Sequence, residues 1–271
     1  MTDPRLITAV ERLIQAAERP GHMPLIGISG AQGSGKTTLA GAAAGALGCA
    51  RLSLDDVYRT RAERERMARE VHLLFGTRGP PGTHDLDLLT ETVAALRAAG
   101  PDQTTALPAF DKLADDRKPR SQWPGFQGRP RAVLVDGWLV GATPQVQGAL
   151  AAPINALERA EDADGVWRRE ANARLAGGQA VLNAAFDAIL FLQAPAFEVV
   201  LDWRWEQEAG LRRVEPSALG EDERARLARF IAHFERITRH MLEGGVRADT
   251  VVRLDRDRRV VGMDTNDEPG R

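Results

Sequence analysis

The segment GAQGSGKT, Gly30 to Thr37, constrains this chain more than any other, because it meets the pattern G-x-x-x-x-G-K-[ST] between an apolar run and an alanine-rich stretch. That context predicts a buried strand over 25–30, a tight loop, and a helix from Lys36 to Leu47 closed by Gly48. Glycines at 30, 33 and 35 let the backbone wrap closely around phosphate, so that main-chain N–H groups and the helix N-terminus face the anion. The reading therefore gives Gly30, Ala31, Gln32, Gly33, Ser34, Gly35, Lys36, Thr37 and Thr38 to a nucleotide triphosphate. Lys36 acts as a point charge on the β- and γ-phosphates, and the Thr37 hydroxyl is a Mg²⁺ ligand. No N-K-x-D stretch marks a guanine site, and no strand ends in Asp-Glu as in hydrolysing ATPases. ATP-dependent transfer is favoured over switching.

Strand-like and helix-like segments alternate along the rest of the chain. Residues 3–21 read as a helix capped by Asp3 with Pro4 in its first turn. Further strands are expected at 50–56, 132–137, 188–193 and 250–255, with a short one in TALPAF. Helices are expected from Thr60 to Leu74, Leu86 to Ala99, Phe197 to Glu208 and Glu221 to Glu243. Gly- and Pro-dense loops cover 76–85, and a polar, turn-rich stretch leads up to Arg131. The expectation is one α/β domain over 1–271, with a P-loop NTPase-type, mainly parallel sheet of about five strands, helices on both faces and a small helical lid. Within it, 1–23 holds the N-terminal helix, 76–131 the substrate-side loops, 155–178 the lid, and 257–271 a tail that frays.

Composition narrows the function classes. With 36 Lys and Arg against 38 Asp and Glu, no global basic field exists to hold nucleic acid, so any anion site is local. The single cysteine, Cys49, forms no internal bridge, which points to a reducing compartment and hence the cytoplasm. No basic-then-apolar start and no membrane-length apolar run argue against a signal peptide or a membrane span. A monomer acting on a small molecule is expected.

Three acids, Asp55, Asp56 and Asp136, fall at predicted strand ends, where ligands of open α/β sheets bind. A kinase needs one carboxylate to align the acceptor hydroxyl and another to hold Mg²⁺ or its water shell. Asp55 is assigned the first role, with Asp56 as the alternative, and Asp136 the second.

These elements together resemble the D-glycerate 3-kinase family of P-loop kinases: GAQGSGKTT, SLDDVY, TRGPPGTHD, PAFDKLADDR, VDGW and WRREAN occur in family order over about residues 24–255. More distantly the chain is similar to uridine kinase, pantothenate kinase and phosphoribulokinase. The resemblance implies ATP and Mg²⁺ as cofactors, D-glycerate as acceptor, and Asp55 as base. It sets Asp136 where relatives often carry glutamate, a departure whose shorter side chain reaches Mg²⁺ through water. It also puts Arg78, His84 and Asp85 beside the acceptor; Asp85 is equally suited to capping the following helix. Arg78 suits a carboxylate clamp. Tyr58, Lys112 and Arg117 are further pocket candidates. Arg168 and Arg169 resemble lid arginines, Arg168 being read as catalytic and Arg169 as substrate-facing. The alternatives are a kinase of this fold with another hydroxyl acceptor, or an ATP-binding switch without one.

Overall fold

The computed structural model describes residues 2–265. Helix α1 (Pro4–Ala17) precedes β1 (Leu25–Gly30), α2 (Lys36–Leu47) and β2 (Ala50–Ser53). After α3 (Arg61–Glu70) and α4 (Leu86–Ala98) come four short strands, β3 (Thr104–Ala106), β4 (Phe110–Asp111), β5 (Asp116–Arg117) and β6 (Gly125–Gln127). Strand β7 (Val133–Gly137), helices α5 (Ala156–Glu161), α6 (Val166–Arg174) and α7 (Ala180–Ala185), then β8 (Ala188–Gln193) follow. The described chain closes with α8 (Glu198–Arg212), α9 (Glu221–Leu242), β9 (Thr250–Leu254) and β10 (Val260–Thr265).

Six strands form one sheet in the order β10-β9-β8-β1-β7-β2, parallel except for β10. Its middle strands are almost wholly buried because both faces are covered, and successive apolar side chains feed two different cores. Ile26, Ile28, Leu134, Leu190 and Leu192 pack with α1, α2 and Trp203. Leu25, Val133, Val135, Ile189 and Phe191 pack with α4, α9 and Trp138. Among the described residues no helix is long and apolar enough to cross a membrane.

Several boundaries differ from expectation. The segment read as a fraying tail, 257–271, contains β10, which pairs antiparallel with β9 while Val260 and Met263 pack on the core beside α1. Residues 266–271 of that expectation lie outside the described residues. The TALPAF strand breaks at its proline, so Thr104–Ala106 pairs with β6 and Phe110–Asp111 starts a separate hairpin with β5. Strand β2 stops at Ser53, whose hydroxyl accepts from the Asp55 amide at 3.3 Å and opens a one-turn 3₁₀ helix over Leu54–Asp56. That turn carries Asp55 past the strand end.

Candidate active site

The loop between β1 and α2 turns through left-handed glycines at 33 and 35, with φ of 76° and 91°. Glycine is required at 33: an added Cβ would lie 2.7 Å from the Trp203 Cβ, while Arg258 Nε donates to the Gly33 carbonyl at 2.7 Å. No side chain caps α2 at Gly35, so the first-turn amides of that helix keep their donors for an anion. Lys36 Nζ donates to the Ala31 carbonyl at 3.2 Å, folding the side chain back over the loop. Burial pushes the Lys36 ammonium down, against the opposing pull of Asp55 and Asp136.

Thr37 Oγ1 donates to Asp136 Oδ1 at 2.8 Å. With its proton spent inward, the exposed Thr37 oxygen turns a lone pair outward, which suits a hard cation that keeps most of its waters. Asp136 is buried, also accepts from Ser53 Oγ at 3.2 Å, and pairs with Arg51 at 3.1 Å. It would therefore act on a metal only through Thr37 or a water. Among the described residues no cluster of three or more acidic, histidine or cysteine side chains forms a metal cage.

One cavity of about 510 Å³ takes in this loop and the acid beyond β2: Gln32, Lys36, Thr37 and Thr38 line it with Asp55, Tyr58, Arg78, Lys112 and Trp138. Asp55 accepts from Tyr58 Oη at 2.7 Å and from Lys112 Nζ at 2.8 Å. Burial alone would raise the Asp55 carboxyl, but Lys112 and Lys36 overcome it and hold it well below the usual carboxylate range. Asp56 does not line the cavity; burial, then Asp55, pushes its carboxyl up. The Arg78 guanidinium lies 5.8 Å from the Phe110 ring centroid and 5.9 Å from that of Phe230, and pairs with Asp115.

No protein-family model matches the chain. It is 29% identical to an uncharacterised kinase of Schizosaccharomyces pombe over 244 residues, covering 84% of this chain and 85% of that one. It is 27% identical to the chloroplastic D-glycerate 3-kinase of Arabidopsis thaliana over 213 residues, 73% of this chain but 44% of the relative's length. The solved D-glycerate 3-kinase of Cryptococcus neoformans superposes with a TM-score of 0.77 at 21% identity, over 96% of this chain and 99% of that one. The fold is that of the P-loop kinases.

Within this P-loop kinase fold the expected site residues divide. Lys36, Thr37, Asp55, Tyr58, Arg78 and Lys112 share the cavity. Asp85 instead caps α4, accepting from the Leu88 amide at 3.1 Å, and pairs with Arg117 at 2.9 Å; neither lines the cavity. His84 lies buried behind Tyr58, ring centroids 4.8 Å apart, and does not line the cavity.

Arg168, in the 155–178 segment, requires correction. The Arg168 guanidinium is buried and spent on Asp162 and the carbonyls of Leu150, Ala151 and Asp162. The segment is fixed to α9 by a buried pair, Arg236 with Glu158, at 2.6 Å. Arg169 is exposed and donates to the Asp164 carbonyl at 2.8 Å. Neither arginine reaches the phosphate loop. Sequence reasoning missed two cations that line the cavity: Arg204 on α8, which acts electrostatically on Lys36, and Arg258, which donates to the Gly33 carbonyl of the loop. For Arg204 the available signal was topological, since β8 neighbours β1 and the helix after β8 starts at the same sheet end as the loop.

Proposed function

We propose that this chain is an ATP- and Mg²⁺-dependent kinase that moves the γ-phosphoryl of ATP to the 3-hydroxyl of D-glycerate, giving 3-phosphoglycerate. The observation that carries the proposal is the single cavity in which Lys36, Asp55 and Arg78 meet. Loop amides and Lys36 hold the phosphates, and Arg204 offsets charge on the moving group. Thr37, with water on Asp136, would hold Mg²⁺, which would offset charge on the phosphates. Arg78 takes the acceptor carboxylate, and Asp55 receives the hydroxyl proton. A carboxylate this acidic is a weak base, yet phosphoryl transfer through a loose transition state asks more for alignment of the hydroxyl than for its early deprotonation.

The relatives named for D-glycerate support the acceptor, and a monomer working in the cytoplasm completes the proposal. Phosphorus NMR of the product from ATP and a panel of hydroxy acids, nucleosides and pantothenate tests it. A 3-phosphoglycerate resonance is expected. Glycerate that stimulates no ADP release rejects the acceptor, and no stimulation by any acceptor rejects the kinase.

A further inference from the structure

The turn between β4 and β5 inserts two charged side chains into the proposed acceptor side: Lys112 on Asp55, and Asp115 on Arg78. Asp115 is doubly held. One carboxylate oxygen pairs with Arg78, and the other lies 3.0 Å from Arg64, whose same nitrogen donates to the Asp115 carbonyl at 2.6 Å. Arg64 is buried and fixed by the carbonyls of Arg59 and Gly76, at 3.2 and 2.8 Å, whereas Arg78 opens on the cavity. Arg64, Arg78 and Asp115 thus form a trio with one positive charge in excess.

We propose that Asp115 sets acceptor affinity and charge selectivity, by occupying Arg78 as an internal carboxylate that a monoanionic acceptor displaces. The inference rests on the kinase reading with a carboxylate acceptor. Displacement strands no charge, because Asp115 keeps Arg64 when Arg78 turns to the incoming carboxylate, and the excess cation is then matched by one anion. A dianionic acceptor overfills the trio, and a neutral acceptor leaves it charged and has nothing with which to displace Asp115.

Asp115→Asn tests this, because asparagine tolerates the left-handed backbone at φ 53° and removes only the charge. The KM for D-glycerate is expected to fall about two- to fivefold, the size of a partly exposed ion pair, with kcat and the KM for ATP unchanged. Preference for glycerate over its neutral amide should rise by a similar factor. Asp115→Gly, which that backbone also accepts, should behave alike and serves if the first variant folds poorly. An unchanged or raised KM for glycerate, in an enzyme whose wild type phosphorylates it, overturns the inference alone and makes Asp115 a support for Arg78. A wild type that phosphorylates no carboxylate acceptor overturns the acceptor reading and this inference together.

Discussion

Lys112 Nζ sits 2.8 Å from Asp55 Oδ2, so the acid facing the phosphate loop carries its own counter-ion before any substrate arrives. Removing that cation in Lys112→Met leaves burial less opposed and lets the Asp55 carboxyl rise. A carboxylate with a depressed pKa stays ionised into acid, and one that rises is protonated earlier. The acid limb of kcat/KM should therefore move to higher pH in the variant. A pH–rate profile whose acid limb does not move would separate Asp55 from the rate.

Asp55→Asn and Asp56→Asn distinguish the two neighbouring acids. The first keeps the volume at the cavity wall but loses the acceptor for the hydroxyl proton, so kcat should drop about 10²- to 10⁴-fold while nucleotide affinity is held. The second lies off the cavity and should leave kcat within a few-fold. Single-turnover transfer together with ATP titration checks both, and comparable losses in the two variants would remove the distinction drawn between them.

The phosphate loop was legible because its chemistry is local: glycines, lysine and threonine act through backbone that they themselves shape. Asp55 was legible from its place at the end of an apolar run, although the strand stops at Ser53 and a 3₁₀ turn, not the strand, carries the acid to the cavity. The arginine of α8 beside Lys36 was not. VWRRE and DWRWE look alike as short helical segments, and what separates them is long-range: Asp162 lies where it captures Arg168, while α8 follows the strand beside β1. The pairing of Arg78 with Asp115 joins the 76–85 loop to a hairpin residue 37 positions later, which no spacing rule reports. Strand β10 was missed because the charged turn at 255–259 masked an apolar pattern that only pairing with β9 makes useful.

Two arginine variants should then separate chemistry from folding. Arg204→Ala should lower kcat by at least about tenfold with little change in Tm, as expected for a cation that acts on transferring charge. Arg168→Ala should do the reverse, because it strands the buried Asp162 carboxylate at a cost of about 3–5 kcal/mol. Kinetics and thermal melts on both variants check the assignment; an Arg168→Ala protein with normal stability and lost turnover would return that residue to the catalytic list.

His84 makes the fold itself sensitive to acid. Burial pushes its imidazole down from 6.5 to about 4, a shift that Asp55 only partly opposes, and neither ring nitrogen has a hydrogen-bond partner. The unfolded chain therefore takes up the proton first, so stability is full above the unfolded pKa and falls as pH drops from 6.5 towards 4. Over that window the loss from this one group is about 3 kcal/mol. In His84→Phe, which keeps a ring against Tyr58, this component should vanish, and the gap between urea midpoints at neutral and mildly acidic pH should narrow. An equal gap in both proteins would mean that other groups carry the acid sensitivity, and that His84 is already protonated in the native state or screened by water.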